Sequence, residues 1–346
     1  MTDIVSLTRA LVDIESISGN EASVATHLFD RLGTLASSTG GLVERRPVDN
    51  ARFNVLATWG HPVVTMSTHM DTVPPFIPSR EDEEFVWGRG SCDAKGIAAA
   101  MIGAAGELLR DGVRNFGLLF VVGEERNSAG AKAAANDSRG SRYLVNGEPT
   151  ENKLALGSKG VLRFEFTARG KMAHSAYPEL GESAIEKLLD ALEGVRRTPL
   201  PEDPLLGKAT VNIGTIRGGR APNVIADEAV AEVMVRLVGD PTPIRDAYSA
   251  AVNGKAEIRE VLCLPAMRFE RVEGLPTSVV SYASDAPILS RSWGKPLMFG
   301  PGSIHLAHTD QERIPKKELE AAVGIYAQIV RALLAAEASR PGGRPA

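Results

Sequence analysis

The sequence predicts an α/β fold: a mainly parallel sheet with helices on both faces, carrying a smaller inserted α+β domain. Three observations predict it. Short continuous runs rich in β-branched and apolar residues, at 63–68 (VVTMST) and 116–122 (FGLLFVV), alternate with helical stretches, the pattern of strands buried on both faces. After Thr150 the pattern changes to strict apolar–polar alternation, in LRFEFTA at 162–168 and again over 228–237, which marks half-buried strands. Near Pro265 the first pattern returns. The larger domain is therefore expected at 1–157 and 265–346, with the insert at 158–264.

The elements follow in order. Ile4, Leu7, Leu11 and Ile14 recur at helical spacing, so an amphipathic helix over 3–15 opens the fold. A second helix spans about 21–35, and the strand at 63–68 follows. The Ala- and Leu-rich stretch 97–110 begins just after Gly96 and stops at Asp111-Gly112, the usual helix punctuation. Strands at 116–122 and 142–145 come next. In the insert, a helix over 182–195 separates the two alternating strands. Segments 278–290 and 297–299 continue the larger domain. A long helix from Pro315 to about Ala336 closes it, with Leu319, Val323, Tyr326, Val330 and Leu333 on its apolar face. The tail SRPGGRPA is expected to be mobile.

Composition bounds the function. The chain has 346 residues, and its 43% hydrophobic and 24% charged residues exclude the disordered and low-complexity classes. Lys plus Arg number 39 against 43 Asp plus Glu, for a net charge of -4, so the basic excess of a nucleic-acid binder is lacking. No apolar run approaches the ~18 residues that cross a bilayer, and Met1 to Leu11 carries no signal-peptide core. Two cysteines, Cys92 and Cys263, make no disulfide framework. A soluble cytoplasmic protein is expected, without nucleic-acid or membrane partners.

The chemistry-bearing residues sit systematically. His69 and Asp71 follow one strand, Glu124 and Glu125 another, Glu148 a third, and His305 and His308 a fourth. In an open parallel sheet ligands bind beyond the carboxyl ends of the strands, so these residues converge on one rim, joined by Asp93 just before a helix. Taken singly, each has a blander reading: a solvated loop histidine, a surface Glu pair, a helix cap. Together they form a carboxylate cluster whose mutual repulsion a pair of divalent cations removes. Mixed imidazole and carboxylate ligands favour zinc, with cobalt or manganese as substitutes. Two ions need a shared carboxylate and about two further ligands each. His69, Asp93, Glu125, Glu148 and one of the late histidines supply them, leaving Glu124 beside a ligand.

Six ordered strings carry a resemblance: STHMDTVP (67–74), WGRGSCDAKG (87–96), VVGEERNSAG (121–130), NGEPT (146–150), GKMAHSAYPELG (170–181) and FGPGSIHLAH (299–308). They resemble the M20 metallopeptidase and amidohydrolase family, which includes acetylornithine deacetylase, succinyl-diaminopimelate desuccinylase, aminoacylase 1 and glutamate carboxypeptidase. The resemblance implies a zinc-peptidase-like catalytic domain and an inserted dimerisation or lid domain. It implies His69 and Glu148 as ligands of one zinc, Glu125 and His308 of the other, and Asp93 as the bridge. His308 is preferred over His305 because GPGSI followed by AH and the nearby Glu312 resembles the deacetylase pattern. Asp71 would support the His69 imidazole through its carboxylate, and Glu124 would be the general base. His174 resembles a histidine that reaches the partner subunit's site in dimeric members. Asn223 and Arg236 resemble substrate-binding positions. Cys92 reads as a small packing residue.

The activity so implied is a dizinc hydrolysis of the amide bond in N-acyl amino acids, acetylornithine-deacetylase-like, by a homodimer formed through the insert. Glu148-Pro149-Thr150 resembles the deacylase and desuccinylase branches. Arg89, Lys95 and Arg236 are the basic candidates for meeting an acidic substrate. The alternatives are a dipeptidase or carboxypeptidase acting on short peptides, and a hydrolase releasing lysine or ornithine from a carrier protein, for which the overall charge gives no sign of a basic docking patch. A metal-free binding descendant is a different class, and every ligand position is filled. A nucleotide-binding reading fails because GRGSCDAKG follows only Phe85-Val86-Trp87, not a long buried strand.

Overall fold

The computed structural model describes residues 3–340; residues 341–346, most of the tail expected to be mobile, lie outside the described residues. The chain divides into two compact units. One comprises the chain up to Leu156, Arg268–Ser278 and the chain from Ser284 onward; the other comprises Gly157–Met267 and Val279–Ala283.

The first unit is built on a six-stranded sheet. Its spatial order is Leu42–Pro47, Phe53–Trp59, Phe116–Val121, Val64–His69, Tyr143–Asn146 and Lys295–Met298. The last three pairings are parallel and the first two antiparallel. The two antiparallel strands are additions to the sequence reading. Leu42–Pro47 (LVERRP) is a charged sheet edge, so it shows neither an apolar run nor clean alternation.

Alternate residues of the central strands feed two helical layers. Leu118 and Phe120 pack with Leu7, Leu11, Leu28, Ala99 and Tyr326, from helices Ile4–Val12, Ala22–Thr39, Lys95–Arg110 and Lys316–Ala338. Leu119 and Val121 pack on the other face with Ala131, Ile288 and Trp293, from Ala129–Ala134 and Ala286–Trp293. Each fully buried Leu or Phe in these layers contributes roughly 1.5–3 kcal/mol of burial free energy. Lys316–Ala338 is, by length and composition, apolar enough to cross a membrane, contrary to the sequence expectation that no run approaches that length. Its Leu319, Ala322, Tyr326, Val330 and Leu333 are core residues of this unit.

The second unit holds a four-stranded antiparallel sheet, ordered Thr210–Gly218, Glu228–Leu237, Gly160–Arg169, Glu257–Leu264. Leu162, Phe164, Phe166, Ala231, Val233 and Val235 point to one face. There they pack with Leu188 and Leu192 of helix Ala184–Arg197 and Tyr248 of helix Thr242–Val252. The alternation read from the sequence is this burial pattern.

Candidate metal centre

Three adjacent parallel strands deliver the site. His69 ends Val64–His69, Glu124 and Glu125 follow Phe116–Val121, and Glu148 lies two residues beyond Tyr143–Asn146. Parallel pairing puts all three carboxyl ends at the same edge of the sheet. Asp93 lies in the turn before helix Lys95–Arg110, and His308 in the loop between Lys295–Met298 and Arg313–Pro315. The turn folds back so tightly that a Cβ on Gly96 would collide with the Ser91 carbonyl. The Asp93 side chain does not cap the helix; it faces two histidines instead.

Asp93 stands between them. Its Oδ1 lies 2.9 Å from His69 Nε2 and its Oδ2 3.2 Å from His308 Nε2, while His308 Nε2 also lies 2.8 Å from Glu125 Oε1. Two three-residue sets, His69–Asp93–Glu148 and Asp93–Glu125–His308, each have ligand atoms within 4.8 Å of one another and share Asp93. His305 joins neither set and is exposed. His308 has φ 63, a left-handed backbone that costs a non-glycine residue energy and recurs at functional sites.

The supporting contacts are specific. His69 Nδ1 donates to the Asp71 carbonyl oxygen at 3.0 Å, with the Asp71 carboxylate at 3.5 Å. The carbonyl is thus the nearer acceptor, and because it can only accept, Nδ1 keeps its proton; Nε2, which here faces Asp93, is the nitrogen a cation would take in place of a proton. The Asp71 carboxylate takes the Ser18 hydroxyl at 2.6 Å and the backbone N–H groups of Glu124 and Glu125 at 3.0 and 3.2 Å. Asn146 donates to Glu148 at 3.3 Å.

Burial, then the nearby Glu148 carboxylate, push Glu124 well above the ordinary carboxylate range; burial, then Asp93, do the same to Glu148. Burial also raises Glu125, although the His308 bond opposes it. Asp93 is lowered despite its burial, because His308 and His69 both donate to it. His308 is pushed up to about 10 by Asp93 and Glu125. Three carboxylates and two imidazoles, mostly buried and converging with this much mutual strain, are a donor set that fits divalent cations.

Sequence reasoning left several residues without their roles. Glu312 is buried and bonded to the Asp93 turn. Arg89 and Lys95, weighed as substrate-facing cations, point inward: Arg89 pairs with Glu312 at 2.7 Å, and Lys95 Nζ donates to the Ile14 carbonyl at 2.6 Å. Charge alone does not tell a buried clamp from a binding group. Asp285 is buried beside the Ser128 side chain, with no well-formed hydrogen bond to either oxygen. Cys92 is buried against Gly302 and Ser303, and burial pushes its thiol far up, so it packs rather than reacts.

In the second unit, His174 is exposed in the loop after Gly160–Arg169, its Nδ1 accepting from the Ala176 N–H at 3.1 Å. Exposed Asn223 lies beside it, its carbonyl accepting the Ser175 N–H at 3.0 Å. Arg236 stands half-buried on Glu228–Leu237, opposite Thr210 and Val161, and burial lowers its pKa.

The model of Peptidase family M20/M25/M40 matches residues 65–332, a span that contains every residue of the centre. The chain belongs to this family. A Peptidase M20 domain-containing protein of Schizosaccharomyces pombe is 41% identical over 340 residues, covering 95% of this chain and 84% of that protein. A protein of Aspergillus niger named Probable carboxypeptidase is 37% identical over 374 residues, covering 95% and 89%. The crystal structure of a Staphylococcus aureus tripeptidase shares the fold with a TM-score of 0.78 at 23% identity, covering 95% and 97%. As an M20 member this chain is a metal-dependent hydrolase of amide or peptide bonds.

Proposed function

We propose that this M20 hydrolase cleaves the peptide bond of short peptides, as a dipeptidase or carboxypeptidase, with two zinc ions that cobalt or manganese can replace. The observation that carries the reading is Asp93 shared between two ligand sets with Glu124 beside them. The carboxypeptidase name of a relative at 37% identity supports the peptide substrate over the acyl amino acid. His69, Asp93 and Glu148 would hold one ion, and Asp93, Glu125 and His308 the other. When bound, such a pair acidifies water and polarises a carbonyl oxygen.

Glu124 then acts as the base. It takes the proton from the attacking water and hands it to the leaving nitrogen, the two halves of a general acid–base transfer. Asp71 holds its backbone in place for both steps. Asn223 and Arg236 are proposed to bind the substrate's carboxylate, and His174 of one copy to stabilise the oxyanion at the other's site in a homodimer formed through the second unit. Both cysteines are free thiols, which supports a reducing, cytoplasmic location.

A second reading, N-acyl amino acid hydrolysis, rests on Glu148 in NGEPT, the form resembling the deacylases. Metal-restored protein incubated with free dipeptides, N-blocked dipeptides and N-acetyl or N-succinyl amino acids separates the two. Amino-acid release from the peptides is expected to dominate. Release from the acyl amino acids alone transfers the proposal to the second reading, and no release from any of them overturns both.

A further inference from the structure

The loop bearing His308 belongs to no helix or strand of the sheet that delivers His69 and Glu148, yet His308 meets Asp93 and Glu125 closely. Four residues on, Glu312 is 2% exposed and fully engaged. Its Oε1 accepts the backbone N–H groups of Gly90, Cys92 and Asp93 at 2.9, 3.2 and 3.1 Å, and its Oε2 accepts from Arg89 at 2.7 Å. Arg89 returns to the His308 loop, donating to the Thr309 carbonyl at 3.1 Å, and the Gly88 N–H donates to the Glu312 carbonyl at 3.1 Å. One carboxylate thus joins the turn that carries Asp93 to the loop that carries His308.

We propose that Glu312 is a positioning residue for the Asp93–Glu125–His308 ligand set. It makes the two loops one rigid piece and so governs cation affinity at that set. The His69–Asp93–Glu148 set depends on it less, because His69 and Glu148 hang from the sheet. This inference rests on the two-cation reading of the centre. A glutamine cannot replace the carboxylate: with its oxygen toward the three N–H groups, its amide NH2 faces the Arg89 donor.

The test is metal binding, read by elemental analysis and chelator competition with zinc and with cobalt, whose visible spectrum reports each site. The parent protein is expected to hold two ions. Glu312→Gln is expected to hold one as before and to weaken the other 10–100-fold, the usual effect of removing a group that orients a ligand. His308→Ala should weaken the same ion, and the double variant should bind it no more weakly than His308→Ala alone, because Glu312 acts through that ligand. Glu312→Asp, which keeps the charge one methylene short, should fall between, and carries the test should Glu312→Gln not fold. Unchanged affinities, equal weakening of both ions, or additive losses in the double variant overturn the inference. A parent protein holding fewer than two ions overturns the two-cation reading instead.

Discussion

The Asp71 carboxylate accepts the backbone N–H of Glu124 at 3.0 Å. Its other oxygen takes Glu125, and its carbonyl takes the His69 ring. One residue therefore fixes the orientation of a ligand and the position of the base. Asp71→Asn keeps the carbonyl but turns one acceptor into a donor facing an N–H. We expect metal content to stay near that of the parent and kcat to fall about 10–100-fold with a smaller change in KM. Steady-state kinetics alongside elemental analysis checks this; equal losses of metal and turnover would show that Asp71 only supports His69.

Glu124→Gln removes the proton acceptor and keeps the shape. Retained metal and a kcat reduced by at least 10²–10⁴-fold are expected, the range for general acid–base catalysis. Near-parental turnover in the metal-loaded variant refutes the assignment of the base.

Asp285 gives a pH dependence whose sign can be worked out. Burial raises its carboxyl from an ordinary value near 3.8 to about 6, the Ser128 hydroxyl and the His69 and Lys132 charges opposing, the Asp71 charge assisting. Between these two values the folded chain binds more protons than the unfolded one, so the contribution of Asp285 to stability is lost as pH rises from about 4 to 6. The loss is on the order of 1–3 kcal/mol in metal-stripped protein. Asp285→Asn should flatten that decline. Urea unfolding of parent and variant at pH 4.5 and 7 measures it, and parallel pH profiles would show that Asp285 carries none of the effect.

If His174 serves the partner's site, His174→Ala and Glu124→Gln are each inactive alone, and subunit exchange between them creates one dimer site with both residues intact. Partial recovery of activity on mixing is expected. Confirmed exchange without recovery argues that the two residues act within one chain.

How much of this was legible in the sequence depends on whether the signal is local. The runs at 63–68 and 116–122 and the alternation at 228–237 are local, and each became the strand it predicts. Edge strands were not: Thr210–Gly218 is mostly exposed, and the half-buried Val211 and Ile213 that lean on the core are too short an alternation to pattern it. The candidate ligands were legible because each follows a strand end or lies in a resembling string. The inward turn of Arg89 was not, since its partner Glu312 lies 223 positions away and no spacing rule links them. Asp285 was invisible for a related reason. It precedes a helix as a capping residue does, yet it makes no cap bond, and only the folded chain shows its carboxylate buried.

The first unit's sheet closes with Lys295–Met298 pairing onto Tyr143–Asn146, across the whole of the second unit in sequence. A ribosome releases Gly157–Met267 before that last strand exists, so the antiparallel sheet there can form while the first sheet still lacks its edge. His308 emerges later still. A nascent chain therefore carries four of the five proposed metal-binding side chains before the fifth, so the proposed centre waits on the loop that brings His308.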